Sequence, residues 1–119
     1  MIVALATIAA GAVCAVIRYL VSRALAGRGR IPWAVLIVNI VGSALGGVIV
    51  GLAASAGVSG DIRLIMVTGL CGGLTTFSTW SVESIQLAQE GRWRAFAVSV
   101  GANLVLGVGS AAVGYLLAS

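Results

Sequence analysis

Apolar residues come in four long runs, separated from one another by arginines or short turns. The first starts at Ile2 and reaches Ile17 without a charge. Arg18 interrupts it, Tyr19-Leu20-Val21 continue it and Arg23 ends it. After the basic loop Ala26-Gly27-Arg28-Gly29-Arg30, Pro32 suits the first turn of a second helix, where its missing N–H leaves no bond unmade. Ser55 to Asp61 reads as a turn, and Glu90-Gly91-Arg92 as another. The pattern predicts membrane spans over about 2–23, 32–54, 62–89 and 95–118. Each exceeds the ~20 residues that cross ~30 Å of hydrocarbon. A cleavable leader would be followed by a polar mature domain, whereas here another apolar run follows, so the first run reads as a true span. The expectation is one integral membrane domain over residues 1–119, all-α, with four helices and both termini on the same side.

Composition narrows the class further. Of 119 residues, 61% are hydrophobic and 8% charged, against about 45–50% and about 25% in soluble domains. Mean hydropathy is +1.17. Such a chain is too apolar for disorder and has too little polar surface to cover a soluble core. There is no His and no Lys, and the acids are Asp61, Glu83 and Glu90 alone. A His-based triad, a His-ligated metal and a Schiff-base lysine are therefore impossible, and the chain does not read as an enzyme. Cys14 and Cys71 lie inside apolar segments and read as small buried hydrophobes rather than as a disulfide or zinc site. The pI near 10.1 does not indicate nucleic acid, because the arginines stand at span ends, where lipid headgroups are. Arg23, Arg28, Arg30, Arg92 and Arg94 flank the first and third loops, and only Arg63, offset by Asp61, flanks the second. The positive-inside rule places loops one and three in the cytoplasm and both termini outside.

Polar residues inside the spans carry the candidate chemistry, since burying them in hydrocarbon is costly. Asn39 sits mid-span with Ser43 one turn along the same face. Gly72-Gly73-Leu74-Thr75-Thr76-Phe77-Ser78-Thr79-Trp80-Ser81 sets two glycines before a run of hydroxyls. The glycines let the backbone leave helical geometry, and hydroxyls satisfy freed backbone groups. The third helix is expected to break near Gly72–Thr76. Freed carbonyls there can coordinate a cation, and the N-terminus of the following half-helix can attract an anion. Thr76, Thr79, Glu83, Gln86 and Glu90 form a polar stripe beyond the break. Ser99, Asn103 and Ser110 share a face of the fourth span, either along the same path or as helix-pairing groups. Gly42/Gly46, Gly47/Gly51 and Ser110/Gly114 stand at the spacing that lets membrane helices approach closely. A unit this small buries little alone, so oligomerisation is expected.

These residues resemble the small fluoride channels of the CrcB/Fluc family over essentially the full length. The specific match is Gly72-Gly73-Leu74-Thr75-Thr76-Phe77-Ser78-Thr79, supported in order by Gly11-Ala12 with Arg18-Tyr19, Asn39 with Gly42-Ser43, and Asn103. The resemblance implies an antiparallel dual-topology dimer with two narrow fluoride pores, passive export of cytoplasmic fluoride and residence in the cell membrane. It implies pore roles for Asn39, Phe77, Trp80, Ser78, Thr79, Asn103 and Ser110, and a vestibule role for Arg18. It also implies a structural Na⁺ held by the backbone carbonyls of Gly72 and Thr75 from both subunits. Trp80 stands where the family commonly has Phe, and Gly107 where a hydroxyl is expected. The loop-charge bias suits a fixed orientation, so the oppositely oriented partner is either a second copy or a paired paralogue. Two other readings are a proton-coupled multidrug exporter and a non-transporting scaffold. The exporter is expected to use a carboxylate in the first span, which has none.

Overall fold

A computed structural model of the chain describes residues 1–25 and 33–119. The basic loop with Arg28 and Arg30, and the helix start expected at Pro32, lie outside the described residues. Four helical stretches are long and apolar enough to cross a membrane: Ile2–Ala24, Trp33–Ser55, Gly60–Gln89 and Trp93–Ala118. They follow the apolar runs to within two residues at every described end. The first two are α1 (Ile2–Ala24) and α2 (Trp33–Ser55), and the last is α6 (Trp93–Ala118). The third is composite: α3 (Gly60–Leu64), a π-helical stretch (Ile65–Cys71), α4 (Gly72–Leu74), a gap, then α5 (Ser78–Gln89). Ser59 starts α3, its hydroxyl accepting from the Ile62 N–H.

The burial pattern is that of a protein in hydrocarbon. Leu5, Val105 and Leu116 are well exposed, whereas Gly42, Gly51, Ser99, Asn103, Gly107 and Gly114 are buried. Lipid tails are as apolar as leucine, so close packing rather than hydrophobicity brings the helices together. The pairing of α2 with α6 is the most extensive. A Cβ on Gly47 would collide with the Ala111 backbone, and one on Gly51 would come within 2.6 Å of the Tyr115 carbonyl oxygen. α1 packs instead on the first half of the third span. There a Cβ on Gly69 would lie 2.7 Å from the Thr7 carbonyl oxygen, and one on Gly73 would strike the Gly11 backbone. Cys14 fills the seam between α1, α2 and α4 with Val38 and Leu74, and both cysteines are free and buried.

Candidate functional site

The third span breaks at Thr75 and Thr76, just beyond the glycines expected to open it. Gly72 is helical at φ −64°, ψ −36°, and the chain turns extended only at Thr75, φ −80°, ψ 156°. Neither Gly72 nor Gly73 adopts positive φ. Gly73 serves the approach of α1 instead of loosening the backbone. Side chains hold the two extended residues. Asn39 accepts from the Thr76 N–H at 2.8 Å and donates to the Thr76 carbonyl at 3.2 Å. Its other amide hydrogen reaches Asn103 Oδ1 at 3.0 Å. Arg18 Nη1 donates to the Thr75 carbonyl at 3.1 Å. Thr75 Oγ1 closes the preceding turn on the Cys71 carbonyl at 3.0 Å. Thr76 Oγ1 starts α5 by accepting from the Thr79 N–H at 3.2 Å. Backbone groups at this depth have no water to bond, so these side chains are what make the break tolerable.

Beside the break lies a cleft of about 240 Å³ lined by Asn39, Ser43, Thr75, Thr76, Phe77, Trp80, Asn103 and Leu104. The positive end of α5 opens on it, which favours an anion. Phe77 and Trp80 meet edge to face, centroids 5.5 Å apart at 72°, so ring edges carrying the positive end of the quadrupole are present beside the cleft. Among the described residues, Trp80 Nε1, Ser84 Oγ, Ser99 Oγ and Glu83 Oε2 are buried without a hydrogen-bond partner.

Comparison with known proteins agrees with this architecture. Residues 5–115 match the family described as CrcB-like protein, Camphor Resistance (CrcB). The chain belongs to the CrcB family. Among its relatives is a protein of Phocaeicola vulgatus named fluoride-specific ion channel FluC, 40% identical over 100 residues that span 82% of this chain and 83% of that one. A Thermobifida fusca protein named fluoride-specific ion channel FluC 1 is 40% identical over 113 residues, 93% of this chain and 91% of its own. With its four apolar spans, this CrcB chain is a multi-pass cell-membrane protein.

The residues singled out from the sequence of this CrcB chain divide by position. Asn39, Phe77, Trp80 and Asn103 converge on the cleft. Ser78 and Thr79 are exposed at its edge and tied to it through the Thr76 hydroxyl, at 3.4 and 3.2 Å. Ser110 is not brought there. It lies two turns along α6 from Asn103 and donates to the Leu106 carbonyl of its own helix. Gly107 is buried with Ser43 Oγ 3.7 Å from where its Cβ would be, so the missing hydroxyl is supplied across the interface. Thr76 is expected from the sequence both at the break and in the polar stripe beyond it, whereas Ser84 carries no signal that marks it as a site. Thr76 was detectable as the S/T residue three before the first polar turn of α5.

The carbonyl chemistry at the break suits a hard cation. The Thr76 N–H, which a continuous helix would return to Gly72, goes to Asn39, so the Gly72 oxygen is freed at the negative end of a half-helix. Gly72 is exposed, facing away from its own bundle. The Thr75 oxygen carries the Arg18 guanidinium on one lone pair and keeps the other. Among the described residues no three His, Cys, Asp or Glu side chains cluster as a metal site, so backbone oxygens are the ligands on offer.

Proposed function

We propose that the chain is a subunit of a fluoride-selective channel that lets fluoride leave the cytoplasm passively, down the membrane potential. The observation that carries this is the mid-span break with its donor-lined cleft at the positive end of α5. It is supported by relatives named fluoride-specific ion channels. Fluoride is small and strongly hydrated, so a pore must replace its water with donors while binding weakly enough to release it. Amide and indole N–H groups, hydroxyls and ring edges do this without a fixed ammonium, and the chain has no Lys.

The working unit is a pair of four-helix subunits in opposite orientation. Phe77 is 74% exposed although it lies mid-span, and Gly72, Ser78 and Thr79 are exposed around it. Hydroxyls and freed carbonyls facing lipid are costly, and a second subunit would cover them. Four carbonyls, Gly72 and Thr75 from each subunit, would hold a Na⁺ whose charge offsets the negative ends of two half-helices. The pore side chains are Asn39, Phe77, Trp80 and Asn103, with Ser78 and Thr79 at the edge and Arg18 behind the break. The test is fluoride efflux from liposomes, followed with a fluoride electrode and with no proton gradient imposed. Efflux of fluoride without comparable chloride efflux is expected. Vesicles that retain fluoride, or that release it only with a proton gradient, would overturn the reading.

A further inference from the structure

We propose that the corner where α5 meets α6 is a docking site for one anionic phospholipid, with its phosphate on Arg94 and Arg92 and its glycerol and upper acyl carbons against Trp93. The corner is rigid. Gly91 turns at φ 75°, and the N–H groups of Gly91 and Arg92 return to the Ala88 and Leu87 carbonyls at 3.1 and 2.9 Å. Arg92, Trp93 and Arg94 then stand exposed in succession. Trp93 opens the fourth span and is 63% exposed. Phe96 steadies its ring, edge to face at 5.6 Å and 78°. At a span end an indole sits at headgroup level, its ring toward the acyl chains and its N–H toward water. One turn on, Ala97 and Val98 are exposed and apolar, a surface for the chains themselves. Charge selects the kind of lipid. Arg92 Nε pairs with Glu90 Oε2 at 3.3 Å, both side chains about half exposed. Arg94 has no ion pair among the described residues, and the first turn of α6 holds no acid. A cation is least favoured at that end of a helix, so an external anion relieves it. The planar fork of arginine matches phosphate oxygens. A zwitterionic lipid brings its own cation to compete for that phosphate, and phosphatidylglycerol does not. Arg63, at the opposite side of the membrane, has Asp61 in its own short helix and no tryptophan beside it. This contact goes beyond the channel reading and stands whether or not fluoride permeates.

Native mass spectrometry of the purified protein, with phosphatidylglycerol and phosphatidylcholine of equal chain length in competition, counts the lipids that stay bound. One phosphatidylglycerol per chain is expected to be retained in preference. An arginine near an anionic lipid is worth about fivefold in affinity. Arg94→Gln is therefore expected to cut the preference about fivefold, and Arg63→Gln to leave it unchanged. Glu90→Gln releases Arg92 from its ion pair and is expected to raise the preference. Trp93→Leu is expected to weaken both lipids and keep their ratio. All four side chains are exposed, so the variants are expected to unfold at the wild-type midpoint. Equal retention of the two lipids by the wild-type chain overturns the proposal without any variant. A preference untouched by Arg94→Gln also overturns it. So does one lowered equally by Arg63→Gln, which would mark bulk surface charge rather than a site. Excess glycerol 1-phosphate is expected not to displace the lipid. Displacement would make a free phosphate ester the ligand and would overturn the lipid assignment.

Discussion

At the residue scale, the two donors and one acceptor of the Asn39 amide all go to partners within the fold: Thr76 on both its N–H and C=O, and Asn103. Asn39 therefore imitates a neighbouring strand for one extended residue and holds the break open. Asn39→Asp keeps the size and the bond from the Thr76 N–H but turns both donors into an acceptor, facing two other acceptors. Each buried acceptor left without a donor costs about 1–3 kcal/mol. Asn39→Asp is expected to lower the thermal unfolding midpoint of the purified protein clearly, and Asn39→Gln to restore little because its amide sits one methylene further out. A midpoint equal to wild type would show that the clamp contributes nothing. The sequence announced Asn39 as important because an amide in hydrocarbon demands partners. It could not say which partners, since the choice between Thr76, Asn103 and an ion depends on how α2, α6 and the break come together.

At the scale of elements, the spans were legible and the break was half legible. Apolar runs with arginine at one end fix where a helix enters or leaves hydrocarbon, so the Arg23 end of Ile2–Ala24 and the Arg92–Arg94 end of Trp93–Ala118 follow directly. The interior of the third span does not follow, because local sequence carries no signal for the π-helical winding of Ile65–Cys71. Gly72 and Gly73 were expected to loosen the backbone, and instead they stay helical while the break falls on Thr75-Thr76. Glycine supplies either conformational freedom or closeness, and in a membrane bundle closeness dominates. Gly73→Ala is expected to push α1 off the third span, since its Cβ meets the Gly11 backbone. Overpacking of this kind costs about 1–3 kcal/mol, visible in thermal unfolding. Gly101→Ala on α6 meets nothing within 4 Å and gains helix propensity of up to about 1 kcal/mol. Equal midpoints for the two variants would contradict the packing described here.

At the scale of the whole molecule, orientation and assembly are linked. Phe77, Ser78 and Thr79 are exposed, and in the proposed antiparallel pair the subunit that would cover them runs the other way through the membrane. Arg23, Arg92 and Arg94 flank one side, whereas α3 on the other side has Arg63 with Asp61 beside it. Cells insert helices by this asymmetry, so a chain expressed alone is expected to take one orientation there. Detergent reconstitution imposes no such bias, and randomly oriented chains in liposomes can pair with their own kind. A cysteine at the exposed C-terminus, Ser119→Cys, reports the difference, because Cys14 and Cys71 are buried. A membrane-impermeant maleimide is expected to label intact spheroplasts fully, with no further labelling after permeabilisation. In liposomes from purified protein, the same reagent is expected to leave one fraction unlabelled until detergent is added. One-sided labelling in cells then requires a paired paralogue of opposite loop charge for conduction in vivo. Mixed labelling in spheroplasts would mean that the arginine bias is too weak to orient the chain, and that a second copy of itself is partner enough.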